Sequence, residues 1–287
     1  MPPADRPIDP DAFNRFEATS WDQQADAYHR FAATITTRVI EPLLDAAEIS
    51  DGMRVLDVAT GPGYAAAACA ERGAVVVGID VAGEMVSLAR RLNPAIEFRR
   101  ADAEQLPFDT GSFDAAVGNF FILHVGRPEQ AAAELGRILV PGGKLALSTW
   151  DDPERARLLG VLVDAAAEAG AQPPSHIPAG PAFSRFADDG EFARLLRDAG
   201  GLTDVSVETV SFTHHVADGD ELWDGLSGGT VRMRALVQAQ PGDVLARIRT
   251  AFDRLVRPYA DDGGLELPVS VKIASGRKPG DTVDQVA

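Results

Sequence analysis

Cys69 is the chain's lone cysteine, which excludes an intrachain disulfide and suits a reducing compartment. It sits in an Ala-rich stretch that reads as helix, where a thiol serves as a small buried hydrophobe. Basic residues are scarce as well: 27 Lys and Arg stand against 43 Asp and Glu, a formal net charge of -16. Such a chain repels a phosphate backbone or an anionic membrane surface unless basic residues cluster, and only short clusters such as Arg99-Arg100 occur. Nucleic acid is therefore not an expected partner. No apolar run is long enough to span a bilayer, so no membrane association is expected. The opening MPPADRPIDP has neither the basic start nor the apolar centre of a signal peptide. Together these absences lead to the expectation of a soluble, cytoplasmic protein. No His, Cys and carboxylate grouping has metal-ligand spacing and none resembles a nucleophile triad, so no metal is expected.

What is present is enough chain, 287 residues, for one large α/β domain with additions. Residues 1–10, with four prolines and two aspartates, are expected to form a flexible tail. A single domain over 11–276 follows, beginning with a helical lead-in over 11–50. Within it Ser20 and Gln23 form a capping-box pattern, and Trp21, Ala25, Tyr28, Ala32 and Ile35 share a face. Over 51–150 a β/α alternation predicts strands at Arg54–Val58, Val75–Asp80, Ile96–Arg100, Phe113–Asn119 and Lys144–Ser148, separated by helices. The helix Pro128–Leu139 is stopped by the turn Pro141–Gly143. Residues 151–200 and 218–262 read as helical inserts that could cap a pocket, with Phe183, Phe186, Trp223 and Phe252 available to line it. Strands over Asp204–Thr213 and in LELPVSVKIASG complete the sheet, and 277–287 are expected to be a second flexible tail.

The segment VLDVATGPGYAAAACAERGAVVVGID runs from strand through a glycine turn and a small-residue helix into a second strand ending on Asp80. Its GPGYAA matches G-x-G-x-x-[G/A], and Asp80 stands at the distance suited to a ribose. Nicotinamide and adenosylmethionine cofactors both satisfy that pattern. Three features favour the second. Asp102, just past the third strand, can accept from an adenine amine while the Ala103 N–H donates to a ring nitrogen. Asp57 beside the turn suits a cofactor carrying an ammonium and a sulfonium better than a pyrophosphate. Met85 offers a thioether to the adenine face, although it serves equally well as ordinary core.

VLDVATGPG, GIDVAGEM, RADAEQLPFDTGSFD and AELGRILVPGGKLALSTW together resemble the successive motifs of class I S-adenosylmethionine-dependent methyltransferases, and within them the branch of quinone-biosynthesis and secondary-metabolite enzymes. The resemblance implies an α/β, Rossmann-like, seven-stranded and mainly parallel sheet with an antiparallel last strand, N-terminal helices and helical cap insertions. It implies S-adenosyl-L-methionine across the ends of the first four strands. The turn holding Ala59, Gly61 and Gly63 would receive the methionine moiety, Asp80 the ribose, and Asp102 and Ala103 the adenine. Asn119 would approach the methionine amino group, and Tyr28 would close over the cofactor. Ala59 departs from the pattern, which has glycine there.

Transfer of a methyl group from a sulfonium needs alignment and a dry pocket, and a base only where the acceptor must lose a proton. Phe120 and Phe121 are candidate walls for the acceptor, and His124 is the nearest candidate base. His215, with His214 beside it, is a second candidate, and strand alternation sends those two to opposite faces. A capped apolar pocket suits a small hydrophobic acceptor, natural-product or quinone-like. Two other readings stay open at this level: a cofactor-bound, non-methylating cyclase of the same fold, and an NAD-dependent oxidoreductase. Monomer and homodimer are both open.

Overall fold

Alternate residues of the strand Arg54–Val58 (β1) enter opposite hydrophobic layers, Val55 packing in one cluster and Leu56 and Val58 in the other. That period of two, buried on both faces, is what a parallel strand covered by helices on each side requires. The computed structural model describes residues 7–175 and 177–280. The chain opens with three helices, α1 (Pro10–Arg30), α2 (Ala32–Thr36) and α3 (Ile40–Ala46). The alternating core follows: β1, α4 (Tyr64–Glu71), β2 (Val75–Asp80), α5 (Gly83–Leu92), β3 (Glu97–Arg100), β4 (Phe113–Gly118), α6 (Pro128–Ile138) and β5 (Leu139–Trp150). Then come α7 (Arg157–Glu168), α8 (Asp189–Arg194), β6 (Thr203–Val216), α9 (Gly219–Gly229), α10 (Val231–Gln238), α11 (Gly242–Leu255), β7 (Ala260–Asp261) and β8 (Gly264–Arg277).

The sheet order is β3-β2-β1-β4-β5-β8-β6, with β7 a short strand paired to β8. All neighbouring pairs from β3 to β5 are parallel, and β8 runs antiparallel to both β5 and β6. The seven expected strands are present, and β7 makes an eighth of two residues. Pro141–Gly143 does not end a helix as expected. It lies inside β5, where the register against β4 shifts between Phe113 and Ala115, so the sheet absorbs the turn as an irregularity.

The lead-in starts earlier than its sequence suggests. Asp9 caps α1 by accepting from the Ala12 N–H at 3.0 Å, and Pro10 occupies the first turn, so Ser20 is mid-helix rather than a cap. Residues 7–9 alone of the described part of the first tail lack regular structure; 1–6, and 281–287 of the second, lie outside the described residues. The segments expected to be caps mostly complete the helical layers instead. α7 packs on α11 and β8, while Phe186 and Phe192 stack 5.6 Å apart in the opposite layer. Trp223 and Phe252 meet edge-on in the first layer, with ring centroids 5.2 Å apart.

Gly63 caps α4 at φ 84°, where a Cβ would sit 2.8 Å from Phe98 Cζ and 3.0 Å from Asn93 Nδ2. Left-handed strain and overpacking act together there, so Gly63→Ala is expected to cost about 2–4 kcal/mol. A fall in the urea midpoint at unchanged slope checks it; an unchanged midpoint would show that the turn and Phe98 relax freely.

Candidate active site

A cleft opens across the carboxyl ends of β1 to β4, where the strand order reverses direction between β1 and β4. Open α/β sheets hold ligands at such a switch point. Asp57, Ala59, Thr60 and Gly61 line it from β1 and its turn, Asp80 and Val81 from β2, Ala101 to Ala103 from beyond β3, and Asn119 to Phe121 from beyond β4. Glu17, Trp21 and Tyr28 of α1 lie over it, and the junction of α9 and α10, Gly229 to Met233, closes its far end.

The turn after β1 is held by two buried carboxylates. Asp57, 1% exposed, accepts from the Thr60 hydroxyl at 2.5 Å and the Ala66 N–H at 2.9 Å. Asp80, 7% exposed, accepts from the N–H groups of Gly61 and Ala82, each at 2.9 Å. Burial pushes Asp57 up to about 7 against its two hydrogen bonds, and the nearby Asp80 adds to the rise. Burial likewise pushes Asp80 up to about 6, opposed by the Ala82 and Gly61 N–H groups. Among the described residues neither carboxylate has a basic side chain as ion-pair partner. Two such acids beside a glycine turn fit a ligand that brings positive charge and hydroxyl donors, and they oppose a pyrophosphate. The residues present therefore fit S-adenosylmethionine. Ala59 holds φ 51° in this turn and Phe120 φ 57° at the end of β4, so backbone strain gathers at the cleft.

The remaining expected residues fall as follows. Tyr28 lines the cleft beside Gly61 and shares a 2.9 Å hydrogen bond with the Thr36 hydroxyl; burial pushes its phenol up to about 12. Met85 lines the cleft while packed with Ala25, Ala82, Trp21 and Tyr28, so it is a core residue that also borders the cleft. Asp102 and Ala103 lie on the rim, with Asp102 Oδ1 accepting from the Glu104 N–H. Gly63 does not line the cleft; its conformation shapes the turn that does. Asn119 does line it, but its amide already donates to the Thr36 carbonyl at 3.1 Å and accepts from the Ser148 hydroxyl at 2.7 Å. That amide ties the lead-in to the sheet.

Beyond the turn the cleft becomes aromatic and apolar. Phe120 and Trp150 lie 4.4 Å apart, with Phe121, Leu159, Phe183 and Met233 around them. Of the four aromatic residues expected to line a cap, only Phe183 reaches the cleft. His124 also lines the cleft. Its Nδ1 is 2.9 Å from Glu17 Oε2, and Trp21 meets its ring edge-on at 5.2 Å. His215 is a correction: on β6 it faces solvent, 52% exposed, and bonds its β8 neighbour Glu266 at 2.9 Å, outside the cleft. β6 is the edge of the sheet, separated from β4 by β5 and β8, so its end lies away from the switch point between β1 and β4.

Sequence reasoning missed Glu17 and Arg232. Arg232 Nε donates to Glu17 Oε1 at 3.3 Å, and its other nitrogens donate to the carbonyls of Pro181 at 2.9 Å and Leu123 at 2.6 Å. The signal for Glu17 was its spacing, four residues before Trp21 on one helical stripe. A helix begun at Ser20 hides it.

An α/β protein with this strand order, and with acidic groups lining a switch-point cleft, belongs to the class that holds a nucleoside cofactor across its strand ends. The methyltransferase domain family model matches residues 56–147. A demethylmenaquinone methyltransferase of Renibacterium salmoninarum is 30% identical over 177 residues, covering 59% of this chain and 74% of that protein. Another demethylmenaquinone methyltransferase, from Paenarthrobacter aurescens, is 29% identical over 59% of this chain and 70% of its own length. In fold, the chain is similar to the YcgJ protein of Bacillus subtilis, with a TM-score of 0.55 at 18% identity over 84% of this chain and 98% of that one. The chain belongs to the class I S-adenosylmethionine-dependent methyltransferases. It is an enzyme that takes S-adenosylmethionine as cofactor, and the oxidoreductase and cyclase readings find no support. No helix among the described residues is long and apolar enough to cross a membrane.

Proposed function

We propose that this enzyme methylates a small hydrophobic, quinol-like acceptor held against Phe120, Phe121, Trp150 and Phe183, with His124 as proton acceptor. The single observation that carries the reading is one continuous cleft, lined at one end by the glycine turn with Asp57 and Asp80 and farther on by aromatic rings, with the Glu17-paired imidazole of His124 on its wall. The named relatives act on a demethylated quinone, which is the acceptor chemistry such walls suit.

In this reading the turn from Ala59 to Gly63 receives the methionine moiety, with Asp57 facing its positive end. Asp80 accepts from the ribose hydroxyls, Asp102 and Ala103 meet the adenine edge, Met85 packs on its face and Tyr28 closes over the turn. Asn119 forms the wall near the methionine amino group. The bound cofactor supplies an electrophilic methyl on a sulfonium. The protein aligns the acceptor in a dry aromatic slot and takes its hydroxyl proton at His124 Nε2, so that the nucleophile is ready as the new bond to methyl forms.

The test is methyl-labelled S-adenosylmethionine with a panel of reduced naphthoquinones, benzoquinones, simple phenols and amines. Label on the quinols, each heavier by one methyl, is the expected result. Label on the amines alone would overturn the acceptor class.

A further inference from the structure

Glu17 is the most deeply enclosed acid at the acceptor end of the cleft, 2% exposed, and it joins three separate parts of the chain. Its Oε2 accepts from the indole N–H of Trp21 at 3.1 Å on its own helix and lies 2.9 Å from His124 Nδ1. Its Oε1 takes the Arg232 guanidinium from α10 at 3.3 Å. Arg232 itself is pinned by the Leu123 and Pro181 carbonyls and lies over the Phe13 ring, 4.6 Å from its centroid. Burial alone would raise the Glu17 carboxyl, but His124 and Arg232 together hold it below the ordinary value. An ionised carboxylate only accepts hydrogen bonds, so the hydrogen of a neutral His124 ring belongs on Nδ1. The other nitrogen, Nε2, is then a lone pair, and among the described residues it has no hydrogen-bond partner.

We propose that Glu17 is the positioning residue for His124: it fixes the Nδ1–H tautomer and the ring's orientation, and so presents Nε2 as a base to the acceptor. This rests on the reading of His124 as proton acceptor. The proton balance is simple: the acceptor's hydroxyl proton moves to Nε2, the hydrogen on Nδ1 stays in its bond to Glu17, and the carboxylate remains ionised. Because Glu17 on α1 also needs Arg232 on α10, the base is correctly set only when both helices are docked over the cleft. Arg232 keeps the carboxylate charged during the cycle, since a buried acid with an imidazole alone would lose that second stabilising charge.

The test uses the full chain, 15N-labelled, and Glu17→Gln, whose amide can either accept from or donate to Nδ1 and so no longer dictates the tautomer. His124→Gln assigns the imidazole signals. In the wild type, without cofactor or acceptor, long-range 1H–15N spectra should show hydrogen on Nδ1 and a bare Nε2. In Glu17→Gln the signals should move toward the Nε2–H form. With labelled S-adenosylmethionine and the quinol acceptor, kcat should fall about 10- to 100-fold in that variant. Its KM and its cofactor Kd by calorimetry should stay within about twofold of wild type, the split a positioning loss produces. A wild-type imidazole carrying its hydrogen on Nε2 overturns the proposal with no variant needed. So does Glu17→Gln with unchanged tautomer and kcat while His124→Gln is inactive. Should His124→Gln keep full activity while the tautomer behaves as expected, the base role fails and the positioning role falls with it.

Discussion

Asp80→Ala is expected to weaken S-adenosylmethionine binding by about 100-fold or more in calorimetry. The carboxylate sits at the end of β2 and holds the Gly61 and Ala82 N–H groups at 2.9 Å, so it shapes the glycine turn and starts α5 at the same time. Removing it leaves two donors without partners, each costing about 1–3 kcal/mol, and, with Asp80 in its proposed role, deletes charged hydrogen bonds to the ribose worth about 1.5–3 kcal/mol each. A 100-fold loss needs only about 2.7 kcal/mol, so these terms exceed it without being additive. The free protein should still fold, because the substitution also removes a buried acid that has no basic partner. Asp80→Asn, which keeps one acceptor and the volume, should fall between. A Kd within threefold of wild type for Asp80→Ala, in a protein with unchanged circular dichroism, would detach Asp80 from the ribose and reopen the assignment of the whole turn.

Cofactor affinity should also fall steeply with acid, by about 10²-fold or more from pH 8 to pH 5. In the free protein Asp57 stands at about 7 and Asp80 at about 6, both raised by burial. A ligand that brings a sulfonium, an ammonium and ribose hydroxyls favours the ionised forms of both, so each must lose its proton on binding. Every pH unit below a free-state value then costs about tenfold per group. The stability of the free protein moves the other way. A carboxyl whose folded value lies above its unfolded one of 3.8 holds a proton that the unfolded chain has released. Its contribution is complete below about pH 4 and is lost as pH rises to about 6 for Asp80 and about 7 for Asp57. The thermal shift caused by saturating S-adenosylmethionine should therefore grow from pH 5 to pH 8, while these two groups lower the melting point of the unliganded protein over the same range. A thermal shift independent of pH across that interval would mean that neither acid meets the cofactor's charge.

Local chemistry in the chain determined the cofactor half of this enzyme. β1 and β2 fall on the residues that alternation alone marks, Arg54–Val58 and Val75–Asp80, because a strand buried on both faces advertises itself in consecutive apolar residues. The glycine turn and Asp80 lie within a single strand-turn-helix-strand unit, so spacing along the chain is nearly spacing in space. Only the tertiary structure decided the acceptor half. Glu17 stands 107 positions from His124 and 215 from Arg232, and no local pattern links residues so far apart. Alternation separated His214 from His215 but carried no information about where the cleft lay relative to β6, and both proved remote from it. The aromatic residues of the later helices were equally mute: helical spacing says that Trp223 and Phe252 are buried, while the packing of α9 and α11 buries them against each other. Burial is a property a short stretch can specify through its own pattern. Which cavity a buried side chain faces depends on how distant elements dock.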